Sequence, residues 1–352
     1  MAKTLMKGNE AMAQAAIAAG CKCFFGYPIT PQNEIPEFMS KAMYESGGAF
    51  VQAESEVAAI NMVYGAGGAG VRAMTSSSSP GIALKQEGIS YLAGAEVPAV
   101  ILNVMRGGPG LGSIQPAQSD YNMMTKGGGD GDYNCIVLAP ANLQEAADMI
   151  MEAFDLADNY RTPVYVAADG YIGQMMEPVE IIYKPKYEIK EKDWAACGKR
   201  GKKREKNIIN SLYLEPELLY EHNIHLQKKY DEIKEKEARA EKYNTEDAEI
   251  IFVSYGTMSR IVRGVVDRLR SEDKKAGMIR PQTLWPFPVK AFNNPNCKMY
   301  VSIEMSMGQM ADDIKLACEC KTDVKFYGKA GGLVPTSNEI IDNVKAFAGG
   351  LI

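Results

Sequence analysis

The feature that most constrains this chain is a run of short apolar stretches separated by helix-like segments. Cys23 to Gly26, Phe50 to Gln52, Val71 to Thr75 and Ala99 to Val104 are apolar without the in-out alternation of a half-buried strand, so they read as strands covered on both faces. Between them, Pro31 to Glu45, Ser55 to Ala66 and Ile82 to Gly94 read as helices, the first closed by Gly47-Gly48, and an alanine-rich helix from Asn9 to Ala19 precedes them. A second cycle follows, with strand Ile136 to Leu138, helix Leu143 to Asn159 and strand Val164 to Ala167. Alternation of this kind predicts an α/β protein built on a doubly wound parallel sheet. With 352 residues the chain exceeds what one core usually fills, so a second domain is expected.

The character changes between Lys184 and Asp247, where 16 Lys or Arg and 14 Asp or Glu fall among 64 residues. That is no core segment. Pro216 to Tyr243 reads as an exposed charged helix and Gly198 to Lys206 as a basic loop, together a solvated linker or insertion. Beyond it, strand Glu249 to Ser254, a helix through Arg270, and strands Tyr300 to Ile303 and Val324 to Tyr327 predict a smaller α/β domain. The expected units are therefore residues 1–183, a linker 184–247, and residues 248–352.

Several function classes are excluded early. A net charge of −5 gives no electrostatic reason to expect nucleic acid or an anionic membrane as partner. The most continuous apolar run, Val97 to Met105, is about half of what a bilayer crossing needs. Glu10 and Gln14 break any signal-peptide core ahead of Ala18-Ala19-Gly20-Cys21. Seven cysteines, an odd and sparse set, fit a reducing cytoplasm. They lack a Cys-x2-Cys-x2-Cys run, so an iron–sulfur cluster held by this chain alone is not expected. The only histidines, His222 and His225, lie in the charged segment, which argues against hydrolase triads and histidine zinc sites and leaves acid–base work to carboxylates or a cofactor.

Two motifs mislead. Gly65-Ala66-Gly67-Gly68-Ala69-Gly70 spells the dinucleotide fingerprint, but here the glycines close a helix and precede a strand, the reverse of what a phosphate cradle requires. Gly129-Asp130-Gly131 with Asn159 downstream imitates a magnesium–diphosphate motif, yet Tyr160 stands where a second asparagine is usual, and no metal ligands are assigned. More informative is Gly26-Tyr27-Pro28-Ile29-Thr30-Pro31, between a strand and a helix. Thr30 reads as an N-cap with Pro31 at the first helical position, which serves helix initiation or a substrate carboxylate. Glu56 opens the next helix, where the helix dipole alone favours an acid. Arg106, ahead of Gly107-Gly108-Pro109-Gly110, leaves a strand at its carboxyl end and either pairs with a carboxylate or closes a surface loop.

Taken together these segments resemble the alpha subunit of 2-oxoacid:ferredoxin oxidoreductases. The resemblance is carried by Gly26 to Pro31, Ala53-Glu54-Ser55-Glu56-Val57-Ala58-Ala59, Ser76-Ser77-Ser78-Ser79-Pro80-Gly81, Arg106-Gly107-Gly108-Pro109 with Gln118-Ser119-Asp120, and Gly131-Asp132-Tyr133. Within the family the wording of Met105 to Gly112 and of Gln174-Met175-Met176-Glu177-Pro178 is most similar to the 2-oxoisovalerate (3-methyl-2-oxobutanoate) enzymes. The serine run Ser76 to Ser79 departs from the family's more usual Thr-Ser-Gly turn. The resemblance implies a pyrimidine-binding domain of the thiamine diphosphate fold followed by a transketolase C-terminal-like domain. It implies that Glu56 bonds the aminopyrimidine N1′, that Tyr27, Pro28, Ile29 and Ser79 line the cofactor, and that Thr30 and Arg106 orient the 2-oxoacid carboxylate. It further implies oxidative decarboxylation to acyl-CoA and CO2 with reduction of ferredoxin. A beta subunit would supply the diphosphate and Mg2+ half-site, and gamma and ferredoxin-like delta subunits the iron–sulfur clusters. Alternatives left open are 2-oxoglutarate or pyruvate as substrate and a non-catalytic scaffold subunit.

Overall fold

The computed structural model describes residues 3–198 and 206–352. The chain opens with β1 (Thr4–Lys7), α1 (Gly8–Ala18), β2 (Cys23–Gly26), α2 (Glu34–Glu45), β3 (Ala49–Gln52), α3 (Glu56–Gly68), β4 (Ala73–Ser77), α4 (Ser79–Leu84), α5 (Gln86–Gly94) and β5 (Ala99–Gly107). It continues through β6 (Ser113–Pro116), α6 (Tyr121–Thr125), β7 (Ile136–Leu138), α7 (Leu143–Tyr160), β8 (Pro163–Asp169), α8 (Gly170–Gln174) and β9 (Met176–Val179). The remainder comprises α9 (Pro216–Glu237), β10 (Ala240–Tyr243), β11 (Ile250–Val253), α10 (Gly256–Ser271), β12 (Ala276–Pro281), β13 (Thr283–Trp285), β14 (Met299–Glu304), α11 (Ala311–Ala317), β15 (Asp323–Gly328) and α12 (Ser337–Ala348).

The larger sheet has the order β13-β7-β8-β5-β4-β2-β3, parallel apart from β13, with β6 folded back antiparallel on β5. Every residue of β5 and of β8 is buried, as central strands covered on both faces must be. The connection from β2 to β3 moves one way along the sheet and that from β3 to β4 moves back past β2. Right-handed crossovers therefore put α2 and α3 on opposite faces. The reversal lies between β2 and β4. Open sheets bind ligands beyond the carboxyl ends of the strands at such a point.

The smaller sheet runs β10-β12-β11-β14-β15, with only β10 antiparallel. Here the sequence reading needs correction, because the charged helix stops at Glu237 and Ala240–Tyr243 is an edge strand. Its charges suit an edge and are gripped from outside the segment: Glu241 accepts from Arg263 and from Arg280, and Tyr243 donates to Asp267. Nor is α9 simply solvated. Leu226, Tyr230, Ile233 and Glu237 form a buried stripe, Lys229 reaches Glu96, and His222 stacks on Tyr213 and bonds the Gly94 carbonyl. The basic loop from Lys199 lies outside the described residues as far as Glu205.

The two sheets are joined by buried polar contacts. Asp169, at the end of β8, accepts from Tyr171 and Ile172 in its own domain and from both the backbone and the hydroxyl of Thr257 in the other. Gln118 donates to the Tyr255 carbonyl and accepts from Met305. On α7, Glu145 and Glu152 lie two turns apart and take Arg280 and Arg239 as forked pairs. Among the described residues no helix is long and apolar enough to cross a membrane, and the seven cysteines form no disulfide.

Candidate active site

The residues singled out in the sequence meet at one edge of the larger sheet. Tyr27, Pro28, Ile29 and Thr30, then Glu56, then Ser79 follow β2, β3 and β4, and Arg106 lies at the end of β5; these four parallel strands all end there. The backbone stitches the first two loops together, Ala53 N donating to Gly26 O at 2.9 Å.

Thr30 is not an N-cap. The helix begins only at Glu34, because Asn9 and Gln174 donate to the Pro31 carbonyl and hold Tyr27 to Asn33 as an irregular turn. Gln32, wholly buried, ties this turn to the sheet by donating to Tyr27 O and accepting from Ser76 Oγ. Thr30 is half-buried and its carbonyl accepts from Arg106 Nη1 at 2.9 Å, so these two residues meet, but through backbone. Arg106 Nη2 donates to Leu111 O at 2.9 Å, while its buried Nε has no partner. The guanidinium thus ties two loops together and keeps N–H groups in reserve.

Ser79 is committed internally. Its hydroxyl donates to Asp120 Oδ2 at 2.6 Å and accepts from Arg106 N at 2.9 Å. Asn103 closes this knot by accepting from Ser79 N and donating to Asp120. Burial pushes the Asp120 carboxyl above its ordinary range, against the hydrogen bonds from Ser79 and Asn103 and the charge of Arg106. Asn103 and Asp120 were legible only as parts of motifs; their pairing across 17 residues was not.

Glu56 is 7% exposed and stands at the first position of α3, whose N-cap Ser55 accepts from Ala58 N. Among the described residues its carboxylate accepts no hydrogen bond. Beside it the buried hydroxyls of Ser77 and Ser78 are also unpartnered. Gly81 leaves room for this group, since a Cβ there would lie 2.1 Å from Ser77 Oγ and 2.7 Å from Glu56 Oε1. Beneath them sits Lys85, a wholly buried lysine that sequence reasoning missed, at the break between α4 and α5 where one helix was expected. A buried carboxylate without a hydrogen-bond donor among the described residues, at a topological crossover, is a candidate for binding a polar ligand.

The comparisons decide the family. Residues 14–242 match the thiamine diphosphate-binding domain model of pyruvate flavodoxin/ferredoxin oxidoreductases, and residues 248–340 match core domain II of pyruvate:ferredoxin oxidoreductase. The chain belongs to the 2-oxoacid:ferredoxin oxidoreductase family. It is 49% identical, over 99% of both chains, to a ketoisovalerate oxidoreductase subunit, VorB, of Methanothermobacter marburgensis. It superposes with a TM-score of 0.85 and 28% identity on a 2-oxoglutarate:ferredoxin oxidoreductase from Magnetococcus marinus solved with 2-oxoglutarate, coenzyme A and succinyl-CoA bound, covering 98% of this chain and 65% of that one. A split gene transketolase matches in fold alone, with TM-score 0.60 and 13% identity over 97% of both chains. Thiamine diphosphate-type sheet and transketolase-like second domain are both in place, as the oxidoreductase resemblance implied.

Proposed function

We propose that this chain is the pyrimidine-binding subunit of a 2-oxoisovalerate:ferredoxin oxidoreductase, acting in the cytoplasm with partner subunits. The observation that carries the proposal is Glu56, a buried carboxylate that accepts no hydrogen bond among the described residues, close to Ser77 at the crossover of a thiamine diphosphate-type sheet. The donor set fits the cofactor's aminopyrimidine: the carboxylate of Glu56, a residue with 7% of its surface open, accepts from the ring N1′ edge. Tyr27, Pro28 and Ile29 form an adjoining wall, partly apolar.

When bound, thiamine diphosphate supplies the carbanion that adds to the keto carbon of a 2-oxoacid. The chain's own part is positional. Glu56 holds a proton at N1′, which favours loss of one from the exocyclic nitrogen and explains why no histidine is needed. Arg106, whose Nε is unspent, binds the substrate carboxylate beside Thr30. Ser79, Asn103 and Asp120 act on Arg106 through its backbone and keep its loop still.

Only one wall of such a site is present, and the edge is open. Tyr27, Val57, Leu111, Ile114 and Leu333 are large apolar residues left 38–80% exposed on loops, a helix start and β6 near it, a surface suited to burial against a partner. In the proposed complex a beta subunit covers it and brings the diphosphate and Mg2+ half-site. Gamma and ferredoxin-like delta subunits carry iron–sulfur clusters to ferredoxin, and coenzyme A takes the acyl group. The identity to the ketoisovalerate subunit favours a branched-chain substrate. The test is anaerobic reduction of a viologen dye by the native complex with coenzyme A. Fastest reduction with 2-oxoisovalerate is expected; preference for 2-oxoglutarate or pyruvate moves the substrate, and no reduction with any 2-oxoacid returns the chain to a scaffold role.

A further inference from the structure

Where the larger domain, α9 and the second domain come together there is a cleft of about 540 Å³ that shares no residue with the edge carrying Glu56 and Arg106. Its apolar wall is the segment that follows β13, with Trp285, Pro286, Phe287 and Val289. Both aromatic rings are braced. Tyr230 meets Trp285 edge-on with 5.7 Å between centroids, and Phe287 stacks on Phe292 at 5.3 Å. Tyr230 is wholly buried and Phe292 nearly so, which fixes the rings they support. Trp285 and Phe287 remain half-buried and Val289 stays 53% exposed. An apolar wall held in place beside a cavity of this size is what small ligands occupy.

The polar part of the lining says which ligand fits. Lys126 and the Tyr121 hydroxyl share the Asp313 carboxylate, and Lys234 pairs with Asp231 at 3.0 Å. Three groups are left over. Among the described residues the Lys290 ammonium has no ion pair, the Trp285 indole N–H no acceptor, and the Asn134 side-chain amide no hydrogen bond. Lys290 is exposed and the other two residues are half-buried, so all three groups are open to a ligand. Lys126, Lys234 and Lys290 against Glu235 and Asp313, three ammonium groups against two carboxylates, leave the lining one positive charge. A single surplus cation with N–H donors beside it suits one anionic acceptor group, and the aromatic wall suits a flat apolar body.

We propose that this cleft binds an aromatic carboxylate, its ring against Trp285, Phe287 and Val289 and its carboxylate taking hydrogen bonds from Lys290 and from Trp285 or Asn134. The inference is independent of the roles assigned to Glu56 and Arg106. The lining draws on α6, α9 and α11, so an occupant bridges the two domains and stabilises the folded chain, as any ligand of the native state does.

Calorimetric titration of the assembled complex with 3-phenylpropionate tests this. Saturable binding is expected, and 3-phenylpropan-1-ol, a ring without the charge, and acetate, the charge without a ring, should each bind at least about tenfold more weakly. Lys290→Ala should weaken 3-phenylpropionate on the order of tenfold, the loss that goes with a charge-assisted hydrogen bond. Val289→Asp puts a like charge into the exposed part of the apolar wall and should abolish measurable binding. Both variants should turn over and melt as the unaltered complex does without ligand. A carboxylate also suits the site at Arg106, so Arg106→Lys is titrated alongside and should bind 3-phenylpropionate unchanged. No saturable binding, equal affinity for the alcohol, binding that survives both Lys290→Ala and Val289→Asp, or binding lost in Arg106→Lys instead overturns the proposal. Should Val289→Asp not assemble, Lys290→Glu, an exposed position on the same turn, replaces it with the same loss expected, and retained binding overturns the proposal.

Discussion

Replacing Gly81 by alanine puts one methyl group where the structure has no room for it. The new carbon would sit 2.1 Å from Ser77 Oγ and 2.7 Å from Glu56 Oε1, where ordinary contact begins at 3.4 Å. The hydroxyl must therefore retreat by more than 1 Å and the carboxylate by about 0.7 Å. Ser77 lies in a strand buried at every residue, so its hydroxyl has to turn within packed surroundings while Glu56 swings toward the open edge. Misplacement on this scale is expected to cost on the order of 100-fold in rate if Glu56 aligns the cofactor as proposed. Gly88→Ala is the control, because its methyl meets Ile60 on the same pair of helices and brings only overpacking, about 1–3 kcal/mol. Gly65→Ala is the second control: nothing lies within 4 Å of its Cβ, and a glycine inside a helix gains about 0.5–1 kcal/mol on becoming alanine. The assay is dye reduction per assembled complex at saturating substrate and cofactor, beside thermal melting. Gly81→Ala should lose about two orders of magnitude in turnover, Gly88→Ala should lose stability but little turnover, and Gly65→Ala should lose neither. Turnover in Gly81→Ala within a few-fold of the unaltered complex would refute the placement of Glu56 at the reacting centre.

Arg106→Lys should raise the KM for the 2-oxoacid by about tenfold or more with little change in melting temperature, because a point-like ammonium cannot hold the Thr30 and Leu111 carbonyls 2.9 Å from two separate nitrogens; steady-state kinetics decide it. Gly332→Ala should act on the same parameter from the other domain, since its Cβ would lie 2.2 Å from Gln115 Cβ at a φ of +97°, which alanine resists, and the hairpin carrying Leu111 has to shift. An unchanged KM in Gly332→Ala would separate that loop from the site. Burial works to raise the pKa of Glu152, but Arg239 and Lys186 outweigh it and hold the carboxyl below its ordinary range. The stability it lends is thus present above the unfolded value of about 4.3 and lost as pH falls beneath it, so the melting gap between the unaltered protein and Glu152→Gln should be widest near neutrality and close in acid.

What the sequence disclosed and what it hid divide along the range of the forces involved. The parallel sheet was legible because its strands are apolar at every position, a local signature of burial on both faces. The glycines after Tyr64 were legible as a helix end because only the order of neighbouring elements was needed, and α3 does run on to Gly68. The start of α2 was not, since its delay to Glu34 depends on Asn9 and Gln174, which lie 22 residues before and 143 after the carbonyl they claim. Likewise the strand Ala240–Tyr243 was read as the tail of a charged helix, because the arginines that hold it, Arg263 and Arg280, arrive from elsewhere in the fold. Lys85 carried no local mark.

The same long-range logic gives the second domain a part in the site it does not itself contain. Its loop after β15 presses on the turn after Arg106, where a Cβ on Gly107 would lie 3.0 Å from the Gly331 carbonyl carbon. Gln118, two residues before the Asp120 that holds Ser79, is bonded on both sides to the second domain through Tyr255 and Met305. Asp169 takes Thr257 at the start of α10 while capping α8 at the end of a central strand. Each contact reaches a loop at the carboxyl edge of the larger sheet, and the hydrogen bonds of Gln118 and Asp169 have a definite length and direction that an apolar interface would not impose. The geometry of Arg106 is therefore a property of both domains, and a chain cut between them would lose the alignment of the loop after Arg106 before it lost the larger sheet.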